Sequence, residues 1–222
     1  MNDRLVTDDD MDMLYVIHRA IGRDVEAFAQ VVPTLTQGDS ERVTGLRDWY
    51  HFLERTVDLH HRGEDDEICP ILTAKVPEFE VHQARIKDEH ANLLVLMAQA
   101  KDGFEALTLA STDHWIASRD ELSVALATLD EAMKSHLSGE ENDLLGCMKT
   151  CMSLRELKDF EKAGAKKTSM SDISVLLPWV LSAATEEEKE KFMEIFPWFV
   201  KLLYRLWWKR KFERMASPLG AL

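Results

Sequence analysis

The 222-residue sequence predicts an all-α protein: an antiparallel four-helix bundle with additional C-terminal helices. Three observations carry that prediction. Helix formers dominate the composition, with only nine Gly and six Pro. Four long stretches repeat apolar residues at helical spacing, joined by short turn-like segments. Histidine and glutamate recur in step with that spacing, as His18 followed by His60-x-x-x-Glu64, then His90 followed by His136-x-x-x-Glu140.

Thr7 and Asp10 read as a capping pair, with Asp8 and Asp9 favourable in a first turn. The helix they open aligns Met11, Leu14, His18, Ile21, Val25 and Phe28 and should end near Pro33. A second helix is expected from about Glu41 to Ile68 or beyond, with Trp49, Leu53, Val57, His60, Glu64, Ile68 and Ile71 inward. The third should span about 79–101, with Phe79, Ile86, His90, Leu93, Leu94 and Met97 inward. Lys101-Asp102-Gly103 and Ser111-Thr112-Asp113 bracket a connection to the fourth, at about 113–146. Its stripe is Leu122, Leu126, Leu129, Met133, His136 and Glu140. The domain reading is a dimetal-binding bundle at 1–150, a linker or short helix at 151–165 and a helical appendage at 166–222. Within the appendage, Pro178 interrupts an apolar run and Thr185 with Glu188 forms a capping box.

Ionisable side chains on otherwise apolar stripes are costly unless something compensates. Residues four apart share a helix face, so each His-x-x-x-Glu pair presents both side chains together. His18, His60, Glu64, His90, His136 and Glu140 therefore form the candidate ligand set for two transition-metal ions. Imidazole with carboxylate favours Fe, Mn, Co or Zn over Ca or Mg. His61 shares its phase with Tyr50, Glu54, Asp58 and Asp65, a face that reads as solvated, so His60 is preferred, with His61 a spare ligand or base. Glu140 is preferred over Glu141 on spacing. His82, Tyr15 and Tyr50 are weaker candidates near the site, and His51 and His114 read as structural or exposed.

The pattern of His18, "HHRGEDDEICP", "KDEHANL" and "HLSGEE" resembles the hemerythrin-like, or HHE cation-binding, superfamily over about residues 8–147. The resemblance implies a hemerythrin-like bundle around two Fe ions, bridged by carboxylates and an oxo or hydroxo group, that meets O2, NO or peroxide. The His-x-x-x-Glu repeat is similar to bacterial members tied to nitrosative and oxidative stress. Oxygen carriers of that family use His-x-x-x-His on the third helix, where this chain has Ile86, which predicts an open coordination position or a substitute from His61, His82 or Tyr. Turnover, sensing and reversible O2 binding all fit this pattern; a hydrolytic site lacks electropositive substrate groups, and no Gly-rich phosphate loop is present.

The net charge of −13 divides into about −16 before residue 161 and +3 after it, which argues against a nucleic-acid partner. The absence of a signal-like N-terminus and the sparse Cys69, Cys147 and Cys151 fit a reducing cytoplasm. Cys147 and Cys151 read as small apolar residues near a helix end. Lys201–Arg214 mixes six basic residues with Leu and Trp. The favoured expectation is that Trp198, Phe199, Leu202, Leu203 and Leu206 pack this stretch on the acidic bundle; a homodimer interface ranks next and peripheral membrane contact last.

Overall fold

The structure, a computed structural model, describes residues 4–220; residues 1–3 of the expected bundle region and 221–222 of the appendage lie outside it. Among the described residues there is no strand, and a lone bridge pairs Leu5 with Ser153.

Four long helices build the core: α1 (Asp12–Val31), α2 (Ser40–Gly63), α4 (Glu80–Leu109) and α5 (Trp115–Cys151), with α3 (Cys69–Lys75) prolonging α2. Each packs on two neighbours, α1 on α2 and α5, and α4 on the same two. Paired residues set the directions. His18 meets His60 while Phe28 meets Tyr50, so α1 and α2 run in opposite senses. His61 meets His90 while Tyr50 reaches Met97, and Gly103 meets Leu122 while His90 meets His136. The bundle is therefore antiparallel throughout.

Local chemistry explains the ends. The Asp10 carboxylate accepts from the Thr7 N–H and hydroxyl, and this box opens a short turn, Asp8–Asp10, one step before α1. Pro33 sits in the tight turn that closes α1. The Ser153 and Thr185 boxes start α6 (Leu154–Lys167) and α8 (Glu186–Ile195). Pro178 lies inside α7 (Met170–Ala183) rather than breaking it.

Three expectations about the helices need correction. The connection expected after Lys101 is helical: α4 continues to Leu109, burying Phe104 and Leu107. Gly103 is there for packing, since a Cβ would fall 2.9 Å from Leu122 Cδ1. In α2 the ladder widens into a π-helical turn at Glu64–Ile68. That turn inserts one residue, so Cys69 and Leu72 become fully buried while Ile71 is only partly covered. Leu94, expected inward, is exposed because α4's covered face follows His90, Leu93 and Met97.

The C-terminal helices share the core of the bundle. α7 lies on α1, and α10 (Lys209–Ala216) lies on α2 and α7. Asp24, fully buried on α1, accepts from Trp49 Nε1 at 3.0 Å and from Trp179 Nε1 at 2.9 Å. Its second oxygen takes the Arg23 guanidinium at 2.7–2.8 Å. Phe212 packs on Trp49 with centroids 5.6 Å apart. The packing face of α9 (Trp198–Leu203), its π-helical continuation Tyr204–Trp208 and α10 is not the expected one. Val200, Trp208, Phe212 and Ala216 are buried, Leu203 is partly covered, and Trp198, Phe199, Leu202 and Leu206 face solvent.

Candidate metal centre

All six candidate ligands converge between the four long helices. His18 comes from α1, His60 from α2, Glu64 from the π-helical turn, His90 from α4, and His136 with Glu140 from α5. A seventh joins them: His61, expected to point outward, is buried and stacks on His90 with centroids 4.0 Å apart. Its face is not solvated, because Tyr50 on the same face is fully buried. Adjacent residues diverge by about 100° around a helix, so His60 and His61 straddle the cavity and serve opposite ends of it.

The donor atoms fall into two groups. His18, His60, Glu64 and Glu140 offer one set, and His61, His90 and His136 offer another, with the atoms of each group within 4.8 Å of one another. The carboxylates lie between them. Glu64 Oε1 is 3.3 Å from His60 Nε2 and 3.9 Å from His18 Nε2, while its Oε2 is 3.7 Å from His90 Nε2. Glu140 Oε1 is 3.1 Å from His90 Nε2, and its Oε2 is 3.3 Å from His136 Nε2 and 3.8 Å from His18 Nε2. Ligands on one ion at metal–nitrogen lengths near 2.1 Å stand about 3–4 Å apart, so this spacing fits shared ions.

Hydrogen bonding supplies a second test of fit. Among the described residues, Nε2 of His18, His60, His61 and His136, both oxygens of Glu64 and Glu140 Oε2 are buried with no hydrogen-bond partner. Leaving that many buried polar atoms unsatisfied costs about 1–3 kcal/mol each. A cation bound among them removes the cost, and the donor set fits iron.

Three outer carboxylates face the imidazoles. Glu141 Oε1 lies 3.3 Å from His18 Nδ1 and Glu89 Oε2 3.0 Å from His136 Nδ1, both as hydrogen bonds, while Asp65 Oδ2 stands 3.1 Å from His90 Nδ1 as a neighbouring charge without an aligned hydrogen bond. A carboxylate on Nδ1 holds the proton there and leaves the Nε2 lone pair for a metal. Glu89 is itself held by Arg85, which also donates to Asp143 at 2.7 Å. Gly139 makes room for this guanidinium, for a Cβ would stand 3.0 Å from Arg85 Nη1. Glu141 is thus a partner of His18 rather than a replacement for Glu140, which is fully buried. Asp65, Glu89 and Glu141 each adjoin a candidate ligand in sequence, a signal that reading one helix face at a time passes over.

Burial works against charge on His18, but the Glu141 and Glu64 carboxylates outweigh it and lift that imidazole to about 9. The same contest, won chiefly by Glu140, lifts His90 to about 8. Burial pushes His60 down against the upward pull of Glu64, and burial together with the adjacent imidazoles pushes His61 down, so both stay neutral. Glu140 lies well below its usual range because His136 and His90 outweigh its burial.

The remaining candidates lie elsewhere. Tyr15 donates to Asp8 at 3.0 Å, and Tyr50 donates to the Met97 carbonyl at 2.9 Å within the aromatic core. His82 pairs with Asp143 at the surface, His51 with Glu105 and His114 with Ser111. Cys147 and Cys151 are free thiols with sulfurs 3.9 Å apart, and burial pushes Cys147 up to about 11.

Comparison with known proteins agrees with this geometry. Residues 9–148 match the family model of the hemerythrin HHE cation-binding domain. The chain is 21% identical over 211 residues to the zinc finger protein BRUTUS-like of Arabidopsis thaliana, an alignment covering 88% of this chain and 17% of that protein. The chain therefore spans less than a fifth of that relative's length. No solved structure matches it.

Proposed function

This chain belongs to the hemerythrin HHE cation-binding family, and from that premise we propose that it is a non-haem di-iron protein that binds or reduces a small oxidant, NO, H2O2 or O2, in defence against oxidative or nitrosative stress. The family and the His/Glu cluster together imply metal binding, with iron the fitting ion. The observation that supports a pair of ions is the split of the buried donors into two groups with Glu64 and Glu140 reaching both.

Iron bound there would supply a ferrous–ferric couple and a coordination position for a diatomic or peroxide ligand. The chain's own residues do the rest. Five imidazoles would turn their nitrogens to the ions, His18 and His90 giving up protons to do so. Glu141 and Glu89 hold the far side of two rings, Asp65 stands beside a third, and the surrounding apolar side chains keep bulk water out. The two groups are unequal. One has three imidazoles, from His61, His90 and His136, and the other has two, from His18 and His60. We assign the oxidant to the His18–His60 end, where, with Glu64 and Glu140 shared between the groups, the protein offers fewer imidazoles. This replaces the opening expected at Ile86, which is buried among apolar neighbours while His61 supplies the additional nitrogen.

Anaerobic stopped-flow mixing of the reduced, iron-loaded protein with O2, NO and peroxide tests the proposal. Reaction with one of them is expected: repeated turnover marks a reductase, and a single reversible event marks a carrier or sensor. A spectrum unchanged by all three would overturn the redox reading.

A further inference from the structure

We propose that the outward face of the last long helical stretch, residues 198–214, seats the protein on an anionic lipid surface. The stretch is anchored on one side only. Val200, Trp208, Phe212 and Ala216 are buried against the bundle and α7, so the helix is docked and not detached. Its other side carries Trp198, Phe199, Leu202, Leu206 and Trp207, all exposed, with Trp198 at 75%, and Ile195, as exposed, closes the preceding helix α8. Residues 198, 199, 202 and 206 follow helical spacing through α9 and its continuation, so these apolar side chains form one ridge about 12 Å long. Exposed apolar groups scattered singly are ordinary, whereas a contiguous set containing two Trp marks an interaction surface.

The charges beside the ridge say what the surface meets. Lys201, Arg205, Lys209, Arg210, Lys211 and Arg214 stand against Glu213 alone, giving this stretch +5 in a chain of net −13. Lys211 is spent on Ser174 Oγ, and Lys209 reaches Glu213 only at 4.0 Å. No ion pair to a described residue engages Lys201, Arg205, Arg210 or Arg214, although the bundle they adjoin is rich in carboxylates. Free cations flanking exposed Trp and Leu suit phosphate headgroups above an acyl boundary, with the basic side chains reaching up to the phosphates. The shape favours the same occupant. An exposed helix ridge is convex and enters a soft lipid interface directly, whereas a protein partner must supply a matching acidic groove. The rest of the chain, strongly negative, is repelled by an anionic membrane, so this face alone can approach it. Among the described residues no helix is long and apolar enough to cross a membrane, so the contact lies along the surface.

Vesicle flotation of the full-length, iron-loaded protein tests the inference, using phosphatidylcholine vesicles with and without phosphatidylserine. Flotation with the anionic vesicles is expected at about 0.1 M salt, with a blue shift of Trp emission, and it should weaken at high salt as screening shortens. A Trp198→Ser/Leu202→Ser/Leu206→Ser variant should lose the association while keeping its helicity and metal content, because those side chains are exposed and lie outside the bundle core. Arg205→Gln with Arg210→Gln should weaken binding about thirtyfold. Absence of flotation with anionic vesicles at low salt, or equal flotation of the triple variant, would overturn the proposal. So would sedimentation showing a lipid-independent dimer that the triple variant converts to monomer, which would give the face to a second copy of the chain.

Discussion

His61 and His90 lie face to face, ring centroids 4.0 Å apart and planes 11° from parallel, inside the bundle. The stack brings α2 and α4 together at one end of the cavity and puts a third imidazole beside His136, 5.1 Å away by centroid. His61→Ala should therefore weaken metal binding about 10–100-fold or more, as His60→Ala and His136→Ala should, while His51→Ala should bind normally. Metal titration of the four variants checks this. Normal binding by His61→Ala would mean that the stack serves packing alone.

The outer carboxylates should matter without touching metal. Glu89→Gln keeps the volume but loses the charge that holds the His136 Nδ1 proton. Affinity should fall about 10–100-fold, with altered charge-transfer absorption and little change in helicity. Arg85→Lys should retain more affinity than Arg85→Ala, because a cation still faces Glu89. If Glu89→Gln matches the parent protein in both affinity and spectrum, the aiming role is wrong.

In the metal-free protein the carboxylates around His18 and His90 hold those imidazoles at about 9 and about 8, against about 6.5 when unfolded. Folding thus favours their protonated forms. That stabilisation is complete below about pH 6.5 and is lost as the pH rises through 8 and 9. His60 and His61, held low, are neutral across this window and do not offset the change. The melting temperature of metal-free protein should therefore fall between about pH 7 and 9.5, and metal addition at pH 7 should release protons from His18 and His90. A flat apo profile with no proton release would contradict the electrostatics given above.

Much of this was legible in the sequence, and the losses have identifiable causes. The stripes of α1 and α5 read correctly because both are uninterrupted: His18, His136 and Glu140 fall where their apolar neighbours put them. Glu54, Asp58 and Asp65 make the His61 face look solvated in the sequence, although Tyr50 on the same face is buried. The π-helical turn after Gly63 shifts the phase by one residue, and no composition signal announces it. Gly103 reads as a break but serves close packing. Both faces of the C-terminal stretch carry Trp and Leu, so hydropathy alone does not distinguish the covered face from the exposed one.

Asp24 joins the bundle to the C-terminal helices through the Trp49 and Trp179 indoles. Trp179→Phe removes one donor to a buried carboxylate and should cost about 1.5–3 kcal/mol. At about 2–4 °C per kcal/mol for a chain of this size, the metal-loaded protein should melt several degrees lower. Asp24→Ala strands two indoles and Arg23, and should cost more, about 3–5 kcal/mol. Thermal denaturation of both variants gives the order, and a Trp179→Phe protein as stable as its parent would remove Asp24 as the link.

Metal stoichiometry of the full-length protein, loaded with iron under anaerobic conditions and freed of excess, tests the central claim most directly. Two ions per chain are predicted, bound by His18, His60, His61, Glu64, His90, His136 and Glu140, with loss of the pair in Glu64→Gln or Glu140→Gln. Reproducible binding of one ion, with all seven residues intact, would contradict the dinuclear centre.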